Sequence, residues 1–173
     1  MIYEPEEDSF LLQKYVKKYA RGKVLDIGSG SGIQAETALK KTKDVLASDI
    51  DEDSLGLLRK KEINCIKSNL FKNIKGKFDL IIFNPPYLPE EEKEDTTKNI
   101  TTGGKKGYEL LIKFLKQAKN HLNKDGKILI VFSSLTSKDK ISSELKKLKY
   151  RFKCLETEKL FFEELYVYLI ENG

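Results

Sequence analysis

Five short apolar runs punctuate the first three quarters of the chain: Leu25–Gly28, Val45–Asp49, Cys65–Leu70, Phe78–Phe83 and Lys127–Phe132. Between them lie stretches in which apolar residues recur at helical spacing, over roughly 33–42, 52–62, 107–122 and 137–148. Leu80-Ile81-Ile82-Phe83 and Ile128-Leu129-Ile130-Val131 are almost continuously apolar, which marks strands covered on both faces. Strand and helix in alternation predict a parallel, doubly wound α/β sheet. The pattern changes near the end, where Phe152–Leu155 and Leu165–Ile170 predict two further strands that close the sheet antiparallel. The expected architecture is therefore a mostly parallel, seven-stranded, Rossmann-like sheet with an antiparallel C-terminal strand. An opening helix from about Asp8 to Tyr19 carries Phe10, Leu11, Leu12, Tyr15 and Val16 toward one side. Repeats and low-complexity linkers are missing, so residues 1–173 read as one domain.

The strand over Phe78–Phe83 stops at Asn84-Pro85-Pro86-Tyr87. Proline cannot donate to a ladder and holds the preceding residue extended, which places Asn84 where the sheet ends. The Asn84 side-chain oxygen and the Pro85 carbonyl can together accept from one NH2 group, and Tyr87 offers a wall for a flat group attached to it. Pro86 shapes the same pocket. Asn84, Pro85 and Tyr87 are accordingly the candidate catalytic residues, and Asn84 through Tyr87 the candidate substrate site. The polar stretch Leu88 to Lys106 that follows is long enough to serve as a lid or substrate loop.

Val24-Leu25-Asp26-Ile27-Gly28-Ser29-Gly30-Ser31-Gly32 closes the first strand and opens a helix. Glycine there permits positive φ and a close approach of ligand to backbone. A nicotinamide fingerprint needs its last glycine at position 33, which is Ile33. Asp49 follows the loop at the distance where a carboxylate accepts from ribose hydroxyls, and Asp51 competes for that role.

Charge and composition narrow the chemistry. The net charge of +5 comes mainly from lysine, which on helix faces reads as a solvated surface rather than a nucleic-acid footprint. Cys65 and Cys154 have no metal-ligand spacing, so no metal site is expected. His121, the single histidine, falls near a helix end, where the C-terminal dipole is its expected partner. No apolar run reaches the length of a membrane span and Met1–Glu4 is not signal-like, so the chain reads as cytoplasmic.

Taken together, these motifs resemble those of class I S-adenosylmethionine-dependent methyltransferases. Asp26 and the glycines at 28, 30 and 32 match the family's first motif, and Asn84–Tyr87 matches its Asn-Pro-Pro-aromatic motif, used on planar nitrogens. Tyr3-Glu4-Pro5-Glu6-Glu7-Asp8-Ser9-Phe10-Leu11-Leu12 and Gly103-Gly104-Lys105-Lys106-Gly107-Tyr108-Glu109 resemble the short archaeal and eukaryotic branch of HemK-related release-factor glutamine methyltransferases. The resemblance implies that Glu4, Asp8 and Ser9 lie beside the cofactor's methionine end. It also implies that Asp26 and Gly28, Gly30 and Gly32 form the cofactor loop, that Asp49 holds the ribose and that Asn84 lines the cofactor as well as the substrate. Asn69 would meet the adenine, where the family usually has Asp.

The implied activity is methylation of the glutamine amide in the Gly-Gly-Gln loop of a class I release factor. The same pocket suits an adenine-N6 or guanine-N2 methyltransferase acting on RNA or DNA; protein lysine is a further target, and a non-catalytic cofactor-binding scaffold is the alternative outside enzymology. The resemblance also implies a small zinc-binding activator subunit on the third strand. That strand reads as a sheet edge presenting Ile63, Cys65, Ile66 and Leu70.

Overall fold

The computed structural model describes residues 2–86 and 107–173. Strands β1 (Val24–Ile27), β2 (Val45–Asp49), β3 (Cys65–Lys67), β4 (Phe78–Phe83), β5 (Leu122–Ser133), β6 (Tyr150–Lys159) and β7 (Glu164–Asn172) form one seven-stranded sheet in the order β3-β2-β1-β4-β5-β7-β6. β1 through β5 run parallel, and β7 is antiparallel to both of its neighbours. The doubly wound sheet with an antiparallel end is thus observed.

Period-two alternation divides the strand residues between two cores. Leu25, Ile27, Ile81, Phe83, Ile128 and Ile130 pack beneath α4 (Glu109–Ala118) and α5 (Lys138–Lys147). Val24, Leu80, Ile82, Leu129 and Val131 face α1 (Glu7–Tyr19), α2 (Ile33–Leu39) and α3 (Glu52–Lys60). Both faces are covered, which is why β4 and β5 read as continuous apolar runs.

Several elements depart from the sequence reading, among them β6, which spans Tyr150–Lys159 rather than Phe152–Leu155. β3 ends at Lys67 instead of Leu70, because Leu70 takes a φ of +50° and the Ser68 hydroxyl donates to its carbonyl at 2.8 Å. Ile63 and Leu70 are consequently buried in the cores, and the edge presents less apolar surface than expected. The fourth predicted helix stops at Ala118 and continues as a 3-10 turn, so β5 begins at Leu122 rather than Lys127. His121, on that turn, faces the preceding loop: its Nδ1–H donates to the Gly76 carbonyl at 2.9 Å and its ring stacks on Phe71. The dipole role expected of it is replaced by packing. Cys65 on β3 and Cys154 on β6 are both free and lie at opposite edges of the sheet, six strands apart.

Candidate active site

The C-terminal ends of β1, β2 and β4 converge, and the crevice beyond them is where open α/β sheets place ligands. Beyond β1 the chain turns through Gly28 and Gly30 at φ of +65° and +53°, and Gly32 caps α2 at φ +87°. A side chain at position 32 would stand 2.8 Å from Leu58 Cδ2, so here glycine serves packing as well as conformation. The loop is tied to β2: Ser29 N–H donates to the Ser48 carbonyl, and Gly30 N–H to Asp49 Oδ2, both at 2.9 Å.

Asp49 closes β2, and its Oδ1 accepts from Asp51 N–H at 3.0 Å. Asp51 has a different occupation. Its carboxylate caps α3, accepting from the Ser54 N–H and hydroxyl at 3.0 Å each. Partial burial works against its charge, but those hydrogen bonds hold its carboxyl below the usual range.

Asp26 is fully buried, and its carboxylate accepts from the Ser29 hydroxyl at 2.8 Å. Loss of water raises its pKa to about 7 despite the hydrogen bonds from Ser29 and the Ala35 N–H, with the Asp49 charge adding to the rise. A carboxyl that ionises near 4 when unfolded and near 7 when folded binds more protons in the folded state between those values. Its contribution to stability therefore falls as pH rises from 4 to 7, approaching about 1.4 kcal/mol per pH unit. Below pH 4 the contribution is fully present and no longer changes with pH. Asp26→Asn should flatten this slope: thermal melts of wild type and variant at pH 4, 5.5 and 7.5 should show the variant losing less stability toward pH 7.5. Parallel curves would refute the assignment.

Beyond β4 stand Asn84, half-buried, and Pro85, buried. Asn84 Nδ2 donates to Asp8 Oδ2 at 3.0 Å, across a separation of 76 residues. Asp8 is itself buried, and its other oxygen accepts from the Tyr3 hydroxyl at 2.8 Å and the Ser9 N–H at 2.7 Å. A carboxylate only accepts, so Asn84 must turn its nitrogen toward Asp8. Asn84 Oδ1 is left buried with no hydrogen-bond partner among the described residues. Such an atom costs free energy unless a ligand donates to it.

The N-terminal segment crosses the glycine loop, with Tyr3 Cβ 3.7 Å from where a side chain on Gly30 would begin. Ser9 joins the two halves, because its carbonyl accepts from Gln34 Nε2 at 2.9 Å while Gln34 Oε1, like Asn84 Oδ1, is buried without a hydrogen-bond partner among the described residues. Sequence reasoning missed Tyr3 and Gln34. A polar residue in the first turn of α2, directly after the glycine loop, was the available signal for Gln34.

The structure thus links Asp8, Ser9 and Asn84 in one network and Asp26, Gly30 and Asp49 in another. Glu4 is exposed near the first of these, beside Tyr3. Asn69 belongs to neither; it lines an open cavity of about 440 Å³ with Phe71, Lys72, Lys113, Gln117, Asn120 and His121. Tyr87, the predicted loop from Leu88 to Lys106, and Gly103 to Lys106 of the second HemK-like segment lie outside the described residues.

Strand order, glycine loop and acidic strand end together define a class I methyltransferase. The methyltransferase small domain model matches residues 6–161, and the chain belongs to that family. A Methanocaldococcus jannaschii protein, provisionally named a protein N5-glutamine methyltransferase, is 39% identical across 96% of this chain and 89% of its own length. The release factor glutamine methyltransferase of Borreliella burgdorferi is 40% identical across 62% of this chain and 43% of its own. A ribosomal RNA small subunit methyltransferase C of Haemophilus influenzae is 33% identical across 72% of this chain and 36% of its own. The chain therefore spans less than half of these two bacterial relatives. Among solved structures, the Mtq2–Trm112 complex of E. cuniculi, described as responsible for methylating the eRF1 translation termination factor, superposes with a TM-score of 0.83 at 24% identity, covering 99% of both chains.

Proposed function

We propose that this methyltransferase modifies a protein glutamine amide, and that its substrate is the Gly-Gly-Gln loop of a class I release factor. The observation that carries the reading is the buried Asn84 Oδ1, without a hydrogen-bond partner among the described residues and fixed in direction by Asp8. It is an acceptor waiting for an N–H at the end of β4. The names of the archaeal and bacterial glutamine methyltransferase relatives support the choice of a protein amide.

S-adenosylmethionine fits the adjoining residues. Asp49, at the rim of the crevice, would accept from the ribose hydroxyls while keeping its bond to Gly30. The positive-φ glycine loop brings backbone close to the ligand, the Glu4–Ser9 segment would border the methionine end, and Asn69 would meet the adenine. When bound, the cofactor supplies an electrophilic methyl carbon on a sulfonium.

A glutamine nitrogen is a poor nucleophile because its lone pair is shared with the carbonyl, so the protein's work is orientation. Asn84 Oδ1 and the Pro85 carbonyl would each accept one N–H of the amide, aiming the nitrogen along the transfer line. The same two acceptors would favour the positive charge that develops on the amide nitrogen as it takes up the methyl group. One N–H proton then leaves to water. Asp8 keeps the Asn84 amide from rotating.

Asp49→Ala should weaken binding of S-adenosylmethionine roughly 10- to 150-fold, the worth of about 1.5–3 kcal/mol of charge-assisted hydrogen bonds. Calorimetry showing unchanged affinity would place the ribose elsewhere. A small activator subunit on the β3 edge is part of the proposal, supported by the likeness to Mtq2 in its complex with Trm112. The resemblance in sequence implies that such a subunit binds zinc. β3 can accept an added strand, although its three residues offer only the half-buried Cys65 and Ile66 as apolar contacts.

A nucleic-acid substrate is the second reading, favoured by the ribosomal RNA methyltransferase relative. Tritiated S-adenosylmethionine should label a class I release factor, with mass spectrometry locating the methyl group on glutamine. Label only in total RNA would establish the second reading, and label in neither would point to an inert scaffold.

A further inference from the structure

Phe161 and Phe162, 92% and 87% exposed, occupy the turn between β6 and β7 with their rings edge to face at 4.6 Å. Neighbouring aromatic rings left so bare on a tight turn usually mark a contact surface. The register gives their place. Ile130 lies opposite Phe83, so Ser133, three residues on, is level with Pro86; Leu165 pairs with Ser133. The turn over 160–163 lies beyond that pair, past the C-terminal end of β5, two strand spacings or roughly 10 Å sideways from β4. Ser134 N–H donates to the Glu164 carbonyl at 2.8 Å and Glu164 N–H to the Ser134 hydroxyl at 2.9 Å, which braces the turn on this rim. Phe10, two residues beyond Asp8 in the first turn of α1, is a further exposed ring, 56% exposed.

The charges on this rim select the partner. Glu4, Glu6 and Glu7 lie exposed before and at the start of α1 with no cation among residues 4–8, and residues 158–164 carry Glu158, Glu163 and Glu164 against Lys159, with Lys138 of α5 nearby over the Tyr166 ring at 4.4 Å. A rim this acidic, in a chain of net charge +5, repels phosphates and attracts a basic segment. We infer that the β6–β7 turn docks the methyl-accepting protein itself, its rings seating apolar side chains of a basic segment near the acceptor glutamine. This rests on the protein-glutamine reading above.

Steady-state methylation of an intact class I release factor tests it, comparing wild type with F161S/F162S. Because both rings are exposed, the variant should fold normally. KM for the release factor should rise about tenfold or more, with kcat at saturation and calorimetric affinity for S-adenosylmethionine unchanged, and the wild-type KM should rise with added salt. An unchanged KM in the active variant overturns the docking surface. A loss of cofactor affinity matching the change in KM overturns it too. A wild-type dimer that the variant abolishes in sedimentation assigns the rings to a second copy. If wild type labels RNA and not the release factor, the glutamine reading fails first and the docking inference falls with it.

Discussion

Asn84→Ala should cut turnover by roughly 10²–10³-fold, the scale of deleting one preorganised polar contact to a transition state. Affinity for S-adenosylmethionine should stay near that of wild type. The reason is the division of labour at the strand ends: Asp49 and the glycine loop form one hydrogen-bonded group, Asn84 and Asp8 another. Alanine also removes a buried oxygen that has no hydrogen-bond partner among the described residues, so folding stability should not suffer from loss of that acceptor. Single-turnover rates beside calorimetric binding make the check. Equal losses of rate and affinity would make Asn84 a structural residue.

Asp8→Ala is the second large effect, and it tests an assignment the sequence alone left with the cofactor. Without the carboxylate, Asn84 Nδ2 loses its acceptor and the amide can rotate, presenting a donor where substrate needs an acceptor. Turnover should fall about 10- to 100-fold, as for a misplaced positioning contact, while affinity for S-adenosylmethionine changes much less. Asp8→Asn should recover part of the rate, since its own side-chain oxygen can still accept from Asn84. A drop in cofactor affinity as large as the drop in turnover would return Asp8 to the cofactor.

The contrast between these residues shows what a sequence discloses. Asn84 could be placed because two prolines end β4 by local chemistry. Its hydrogen bond to Asp8 spans 76 residues and depends on how α1 lies across the strand ends, which no local pattern encodes. The strand order was legible because apolar runs alternate with helical spacing, whereas the end of β3 was not. Leu70 is apolar and reads as strand, yet its φ of +50° turns it into the core. Asp26 reads as a member of the glycine motif, and only its complete burial reveals that it ties Ser29 and the start of α2 together from within.

The position of β7 between β5 and β6 has a consequence for how the molecule is made. On the ribosome β6 emerges before β7, and β7 is its only neighbour in the sheet. β6 therefore waits unpaired, and β5 keeps an open edge, until Glu164–Asn172 has been synthesised. The parallel half from β3 to β5 has no such dependence. Assembly of this sheet is thus polarised along the chain: the strands bearing the glycine loop, Asp49 and Asn84 can pair during translation, while the rim carrying Phe161 and Phe162 is set last.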